Sequence, residues 1–292
     1  MLNFPLASSV TPRLEEIQLE DLLHSLKRIF QVDLTGYKRP GLRRRILARM
    51  QWVGVAHYQD YLNLLQQQPN EVQHLLDTIY INFTGFFRDR PVWDFLANRV
   101  IPQMIANKAP NEPIRVWSVG CATGEETYSL AMLLIEALGI KQFQRQVWID
   151  GTDVDADAIL QARQGYYPSH QVEALPKALQ AQYFERRNEG YCWRQDLHCS
   201  IRFRPHNLIQ HPPLPQIDLL VCRNLLMYLT EEAQLQALAR LHHSLEENGV
   251  LVLGKAEPLV TRRQRSLFTP IHRQSRIFTK GPGSVLKRSN LG

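Results

Sequence analysis

The sequence predicts an α/β protein: a doubly wound, mostly parallel Rossmann-like sheet, with a small all-helical N-terminal domain and a small antiparallel β insertion. Three observations predict it. Before residue 80 there is no strand pattern, only successive amphipathic helical stretches. From residue 114 short apolar runs alternate with helical stretches, which implies strands joined by crossovers in a parallel sheet. Between residues 166 and 204 the alternation breaks, as an insertion would make it.

Residues 1–12 read as a flexible lead-in and 13–80 as the helical domain. Glu20 to Phe30 is amphipathic, with Leu22, Leu23, Leu26, Ile29 and Phe30 on one side. Thr35-Gly36-Tyr37 breaks it. Pro40-Gly41 then opens a helix whose apolar stripe is Leu42, Ile46 and Met50. Lys38, Arg39, Arg43, Arg44, Arg45 and Arg49 crowd this stretch; alone, they read equally as a solvated face or as a docking face for an acidic partner. Tyr58 to Gln68 and Glu71 to Ile81 are the third and fourth helices. Residues 81–113 form a linker and lid segment: Asn82-Phe83-Thr84-Gly85-Phe86-Phe87-Arg88-Asp89, a helix from Pro91 to Ile105, and a polar, proline-bounded stretch.

Residues 114–280 hold the sheet. Val116 to Val119 is an apolar run, Gly120-Cys121-Ala122-Thr123-Gly124 a tight turn, and an apolar helix follows from Tyr128. Strand, glycine turn and helix present backbone N–H groups at a helix N-terminus, a place for a polar ligand. Glu125 and Glu126 at the helix entrance suit the dipole but repel phosphate, so a cationic or amino-acid-like ligand fits better. The second apolar run, Val147 to Asp153, ends on an acid of the kind that holds ribose hydroxyls. Turn and acid together point to an adenosyl-type ligand.

Asp155 is the expected N-cap of the next helix, with Gly165 after its end. Ala174 to Phe184 looks helical, and the runs Tyr191 to Leu197 and Cys199 to Pro205 read as the antiparallel insertion, about residues 186–205. Ile217 to Cys222 is a continuously apolar strand, as in a covered parallel sheet. A helix capped by Thr230 runs to Asn248-Gly249, then come a strand from Val250 to Gly254, a basic loop, a last strand from Arg276 to Lys280, and an expected disordered tail, 281–292.

The chain has 292 residues, 44% hydrophobic and 21% charged, with a net charge of +6 and a pI near 9.2. That mild basicity favours an acidic partner without choosing its class. The N-terminus has no secretory pattern, and no apolar run reaches the roughly 18 residues of a membrane span, so membrane insertion is not expected. The four scattered cysteines form no CxxC pair, which fits a reduced, cytoplasmic compartment. Cys192, His198 and Cys199 lack a second ligand pair with zinc spacing, so no metal is expected. No large exposed apolar stripe is evident, and a monomer is the default expectation.

The segments NFTGFFRD, RVWSVGCATGEETYSLAM, GTDVDADAILQARQGYY, HNLI, IDLLVCRNLLMYL and GVLVLGKAEPL follow in the order found in the CheR family, the chemotaxis receptor methyltransferases that use S-adenosylmethionine. The chain resembles that family from about residue 15 to 280. The resemblance implies a Rossmann-like methyltransferase domain, S-adenosylmethionine as cofactor with S-adenosylhomocysteine as product, and glutamate side chains on the cytoplasmic helical domain of chemoreceptors as acceptors. It places cofactor contacts at Asn82, Thr84, Arg88, Glu125 (with Glu126 adjacent), Asp153, Asn207, Leu208, Arg223 and Asn224, while Gly120 and Gly124 of the turn would let the backbone approach the methionyl part. It implies reaction-centre roles for Arg88, whose alternative is an ion pair with Asp89, and for Tyr228, whose alternative is core packing. It also gives the arginines Arg39, Arg43, Arg44, Arg45 and Arg49 an acidic receptor helix to dock. The turn Arg186-Arg187-Asn188-Glu189-Gly190 looks too short for the receptor-peptide tether that some members bind. Two rival readings are a methyltransferase for nucleic acid or another substrate and a non-catalytic cofactor-binding signalling module. After the fourth strand the chain has Arg223-Asn224-Leu225-Leu226, not the Asp/Asn-Pro-Pro-aromatic segment of base-amine methylation, and its basic helix has no aromatic interleaving for base stacking, so nucleic acid is not the expected partner.

Overall fold

The computed structural model describes residues 11–259 and 261–281, with side chains from residue 16 onward. Most of the expected lead-in, residues 1–10, and the expected tail from 282 lie outside the described residues. The chain divides into two compact units, one of residues 1–81 with Tyr228–Thr230, the other of Asn82–Met227 and Glu231–Gly292.

The first unit is four helices: α1 (Thr11–Phe30), α2 (Arg39–Trp52), α3 (Tyr58–Gln67) and α4 (Pro69–Ile79). Prolines at the first turns of α2 and α4 sit where a missing N–H costs nothing. Leu19, Leu22, Leu23 and Leu26 of α1 pack with Leu42, Ile46 and Met50 of α2, Tyr61 and Leu65 of α3, and Leu75 and Ile79 of α4. Helical spacing puts each set on one face. Ile29, expected in the α1 stripe, lies in the last turn and is 40% exposed, and Leu19 extends the stripe instead. Tyr228–Thr230 completes the unit: Lys38 N–H donates to the Tyr228 carbonyl (2.9 Å), Thr230 N–H to the Gly36 carbonyl (2.8 Å), and Tyr37 bridges Leu229.

The second unit is built on a seven-stranded sheet. Its strands are β1 (Ile114–Val119), β2 (Val147–Asp153), β6 (Ile201–Pro205), β7 (Ile217–Cys222), β8 (Leu245–Leu253), β9 (Phe268–His272) and β10 (Ile277–Lys280), in the order β6-β2-β1-β7-β8-β10-β9. The first five strands in that order pair in parallel, while β10 runs antiparallel to both β8 and β9. The helix Glu125–Leu138 follows β1, and Ala156–Gln164 follows β2, capped by Asp155, whose carboxylate accepts from Asp157 N and Ala158 N. Gly165, at φ +60, ends that helix in the left-handed conformation expected of it. A second, antiparallel sheet orders β3 (Tyr166–Pro168), β5 (Gly190–Trp193) and β4 (Phe184–Arg187).

Three local expectations are corrected. The insertion spans β3 to β5, and Ile201–Pro205 is not part of it: β6 pairs in parallel with β2 at the edge of the main sheet. Its alternating pattern is that of an edge strand with one covered face, which periodicity cannot tell from an antiparallel ribbon. The helix after Thr230 stops at Ser244, and β8 begins at Leu245, opposite Ile217 across a register shift. The loop before the last strand contains the helix Arg262–Leu267 and β9, an edge strand that tolerates Pro270.

Candidate active site

The glycine turn leaves β1 at its carboxyl end. Gly120 N–H and Cys121 N–H donate to the Thr152 carbonyl (2.7 and 3.0 Å), which extends the β1–β2 pairing into the turn. Gly120, Ala122 and Gly124 all have positive φ, at +70, +46 and +97. A Cβ on Gly124 would stand 2.9 Å from Ala162 Cβ, so strain and packing both demand glycine there. Asp153 closes the turn from β2. Its Oδ2 accepts from Ala122 N–H (2.9 Å) and its Oδ1 from Asp155 N–H (3.0 Å), while burial pushes its carboxyl above the usual range against those bonds. Asn82 Nδ2 donates to Asp155 Oδ2 (2.6 Å), tying the lid segment to the same corner.

The two glutamates at the helix entrance have different partners. Both are buried, and burial raises both above the ordinary carboxylate range. Glu126 Oε1 accepts from Ser118 Oγ (2.9 Å), and Oε2 lies 3.4 Å from an Arg223 guanidinium nitrogen. Glu125 accepts from Thr123 Oγ1 on Oε2 (2.7 Å), and no other side chain among the described residues donates to it. A buried carboxylate with a single side-chain donor, neutral or anionic, at the mouth of the turn fits an ammonium group, such as that of an amino-acid moiety.

Arg223 follows β7 and is buried between the turn and the lid segment. One guanidinium nitrogen donates to the Arg88 carbonyl (2.9 Å) and to Asp89 Oδ2 (2.7 Å), and the guanidinium packs over Trp93. Asp89 therefore pairs with Arg223, not with Arg88. Arg88 donates to the Phe83 carbonyl (2.8 Å) and lies over the exposed Phe83 ring. Phe87 N–H donates to Ser129 Oγ (3.0 Å), and the Phe86 ring meets Tyr167 and Phe184 edge-on. Tyr167 OH in turn donates to the Thr123 carbonyl (2.7 Å). The antiparallel insertion thus braces both the lid segment and the glycine turn.

Comparison with protein families decides the identity. One model, the S-adenosylmethionine-binding domain of CheR methyltransferases, matches residues 82–275, and a second, their all-alpha domain, matches residues 17–80. The chain belongs to the CheR methyltransferase family. A chemotaxis protein methyltransferase of Listeria innocua is 32% identical over 84% of this chain and 91% of its own length. That of Escherichia coli is 32% identical over 77% of this chain and 78% of its own. An uncharacterised 104.1 kDa protein of Rhodobacter capsulatus is 36% identical over 88% of this chain, which spans only 27% of that longer protein. Among solved structures, a TehB-like methyltransferase of Corynebacterium glutamicum superposes with a TM-score of 0.36 at 19% identity, covering 65% of this chain and 95% of that one. S-adenosylmethionine is accordingly the cofactor of this CheR family member.

Of the expected site residues, the structure gathers Asn82, Gly120, Glu125, Glu126, Asp153, Arg223 and Asn224 at the carboxyl ends of β1, β2 and β7. Asn207 and the buried Leu208 join them through His206 N–H, which donates to the Asp153 carbonyl (2.7 Å). Thr84 is half-buried in the lid segment. Tyr228 falls in the helical unit, where Arg45 lies over its ring at 5.3 Å. Within that unit Arg39 forks onto Glu20 and donates to the Thr35 and Tyr37 carbonyls; Arg45 donates to the Ile79 carbonyl (2.8 Å); Arg49 holds Glu71 through two bonds (2.8 and 2.6 Å). Arg39, Arg45 and Arg49, expected to dock a partner, are therefore engaged inside the helical unit, while Arg44 is exposed.

Sequence reasoning gave no role to Glu257. Its buried carboxylate accepts from Asn224 N–H (2.9 Å), Met227 N–H (3.3 Å) and Gly254 N–H (2.7 Å), and so holds the loop after β7 in shape, with Asn224 at φ +60. Its only sequence signal is a lone acid in the GKAEPL segment. Among the described residues no three His, Cys, Asp or Glu side chains stand where they could share a metal ion, and no helix is long and apolar enough to cross a membrane.

Proposed function

We propose that the chain transfers a methyl group to glutamate side chains on the cytoplasmic helical domain of chemoreceptors, giving γ-methyl esters, as a monomer in the cytoplasm. The observation that carries the cofactor side of this reading is Glu125, a buried carboxylate with Thr123 as its one side-chain donor and no cationic partner among the described residues, beside the positive-φ turn. Glu125, not Glu126, would hold the cofactor ammonium, because Glu126 is engaged by Ser118 and Arg223. Asp153 takes the ribose hydroxyls, and Asn207 with Leu208 borders the base. Asn82 and Thr84 close the lid over the bound cofactor.

When bound, S-adenosylmethionine supplies an electrophilic sulfonium methyl group. The acceptor needs no general base, since a glutamate with a pKa near 4.3 is already an anion at neutral pH. The chain's residues therefore act by position and by exclusion of water. Alignment can supply roughly 7–11 kcal/mol of barrier lowering, and a dry site favours a step in which unlike charges neutralise. Arg88 is the proposed group that orients the incoming carboxylate. Arg223, through the Arg88 carbonyl and Asp89, fixes the backbone that carries it. The resemblance assigns Tyr228 to the reaction centre and the α2 arginines to an acidic receptor helix; Arg44 is the residue best placed for that docking by its exposure. The two-residue Asn188-Glu189 turn between β4 and β5 favours recognition without a tether peptide.

The test is transfer of labelled methyl from S-adenosylmethionine to a chemoreceptor cytoplasmic domain from the same organism. Base-labile label on receptor glutamates, lost in Glu125→Gln, is the expected outcome. Cofactor binding without label on any receptor domain would refute the proposed acceptor.

A further inference from the structure

The face of the sheet at its β6 edge is not built like the rest. In a parallel sheet covered on both faces, strand positions are aliphatic on either side. On one face here, Ile149, Ile201 and Phe203 are buried. On the other, β2 presents Trp148 and Asp150, β1 sets Arg115 level with Trp148, and β6 sets Arg202 level with Asp150 and Arg204 two residues on. These five side chains line a cleft of about 360 Å³, walled on one side by Leu214 and Pro215. It lies toward the amino-terminal ends of β1 and β7, whereas the glycine turn leaves the carboxyl end of β1.

The cleft is assembled as a recognition surface. Asp150 is buried between two guanidinium groups: Arg202 donates to its Oδ2 (3.0 Å), and Arg204 stands 3.1 Å from Oδ1 as an ion pair without hydrogen-bond alignment. Arg202 also lies over the Trp148 ring, 5.5 Å from its centroid. The Arg115 guanidinium has no side-chain partner among the described residues, and Trp148 is 44% exposed. Three cations and one carboxylate leave a surplus of positive charge beside an indole that is partly open to solvent. Guanidinium forks match phosphate oxygens. An exposed indole with an arginine plane beside it is a platform for a planar base. The volume falls within the range of roughly 300–1,000 Å³ of small-ligand sites, and its concavity favours a small molecule over a flat macromolecular surface.

We propose that this cleft is a second ligand site, for a nucleotide, with the base against Trp148 and the phosphate between Arg115 and Arg204. It is separate from the cofactor site and independent of the acceptor the methyl group reaches. The test is calorimetric titration of the full chain with ADP and GDP, carried out in saturating S-adenosylhomocysteine so that the cofactor site is filled. Saturable binding with a Kd below about 1 mM is expected. It should weaken at least about tenfold in Arg115→Ala and in Trp148→Ala, while the affinity for S-adenosylhomocysteine stays unchanged. Arg115→Ala removes a side chain with no protein partner, so it keeps the test decisive even if Trp148→Ala fails to fold. No saturable heat up to about 5 mM, well beyond a weak-ligand Kd, would overturn the proposal, as would binding indifferent to Arg115→Ala. Pyrophosphate binding as well as ADP would remove the base from it. Binding of a poly-glutamate peptide in place of either nucleotide would assign the cleft to an acidic protein segment.

Discussion

Replacing Arg223 with glutamine should destabilise the second unit, with a pH dependence that identifies the cause. The side chain is 3% exposed and holds three acceptors: the Arg88 carbonyl at 2.9 Å, Asp89 at 2.7 Å and Glu126 at 3.4 Å. The arm to Asp89, whose side chain is 43% exposed, is screened by water and contributes about 1 kcal/mol at most. The bonds to the half-buried Arg88 carbonyl and to the buried Glu126 are charge-assisted and contribute about 1.5–3 kcal/mol each. A total of about 3–7 kcal/mol follows, overlapping the roughly 3–5 kcal/mol of breaking a buried ion pair from one side. At roughly 2–4 °C per kcal/mol, Tm falls by about 10 °C. Burial already raises the Glu126 carboxyl, and Arg223 is the main group opposing that rise. A carboxyl whose folded pKa lies above its unfolded value contributes stability below the unfolded pKa and loses it as pH rises through the folded pKa. Removing Arg223 moves Glu126 further up. The deficit of the variant should thus be largest at neutral pH and shrink as the buffer is taken toward the ordinary carboxylate range, near 4.3. Thermal unfolding of wild type, Arg223→Gln, Glu126→Gln and the double variant across that range measures it, and the double variant should recover part of the loss. A deficit that is flat with pH and uncoupled to Glu126→Gln would refute the reasoning.

Asp153→Ala removes the acceptor of Ala122 N–H and Asp155 N–H together with the proposed ribose contact, and S-adenosylhomocysteine affinity by calorimetry should fall at least about tenfold. Gly124→Ala forces a side chain into φ +97 with its Cβ 2.9 Å from Ala162, and denaturant unfolding should show a loss of about 1–3 kcal/mol. In the helical unit Arg49 holds the Glu71 carboxyl below the usual range, helped by Tyr61, so this pair contributes stability above the unfolded pKa of Glu71 and loses it as pH falls. Protection factors in α2 and α4, taken relative to the intrinsic exchange rate at each pH, should fall on acidification in the wild type, and Arg49→Gln should start from weaker protection and show a flatter acid limb.

The parts of the site that lie close together in the chain were legible in the sequence. The glycine turn, Asp153 at the end of β2 and the cap by Asp155 are local signals of turn, strand end and helix start, and each stands where expected. What stayed hidden depends on partners distant in sequence. Nothing near Arg223 shows that Asp89 and the Arg88 carbonyl, more than a hundred residues earlier, will meet it. The basic run on α2 reads as a free face until Glu20 on α1 and Glu71 on α4 fold against Arg39 and Arg49. Glu257 is one acid among many until its three backbone donors surround it. The alternation in β6 states that one face is covered, but it does not state which strand lies beside it, so periodicity alone carries the insertion too far toward the C-terminus.

A fragment ending at residue 81 is not the helical unit. It lacks Tyr228–Thr230, and with them the acceptor of Lys38 N–H, the donor to the Gly36 carbonyl and the ring beneath Arg45. Deletion mapping that assigns a phenotype to the first 81 residues would therefore be scoring a frayed Gly36–Lys38 loop as well as a missing module. The same holds for chimaeras between relatives: a transplanted N-terminal module needs its matching residues at 228–230 grafted with it, or the hybrid carries a seam that neither parent has.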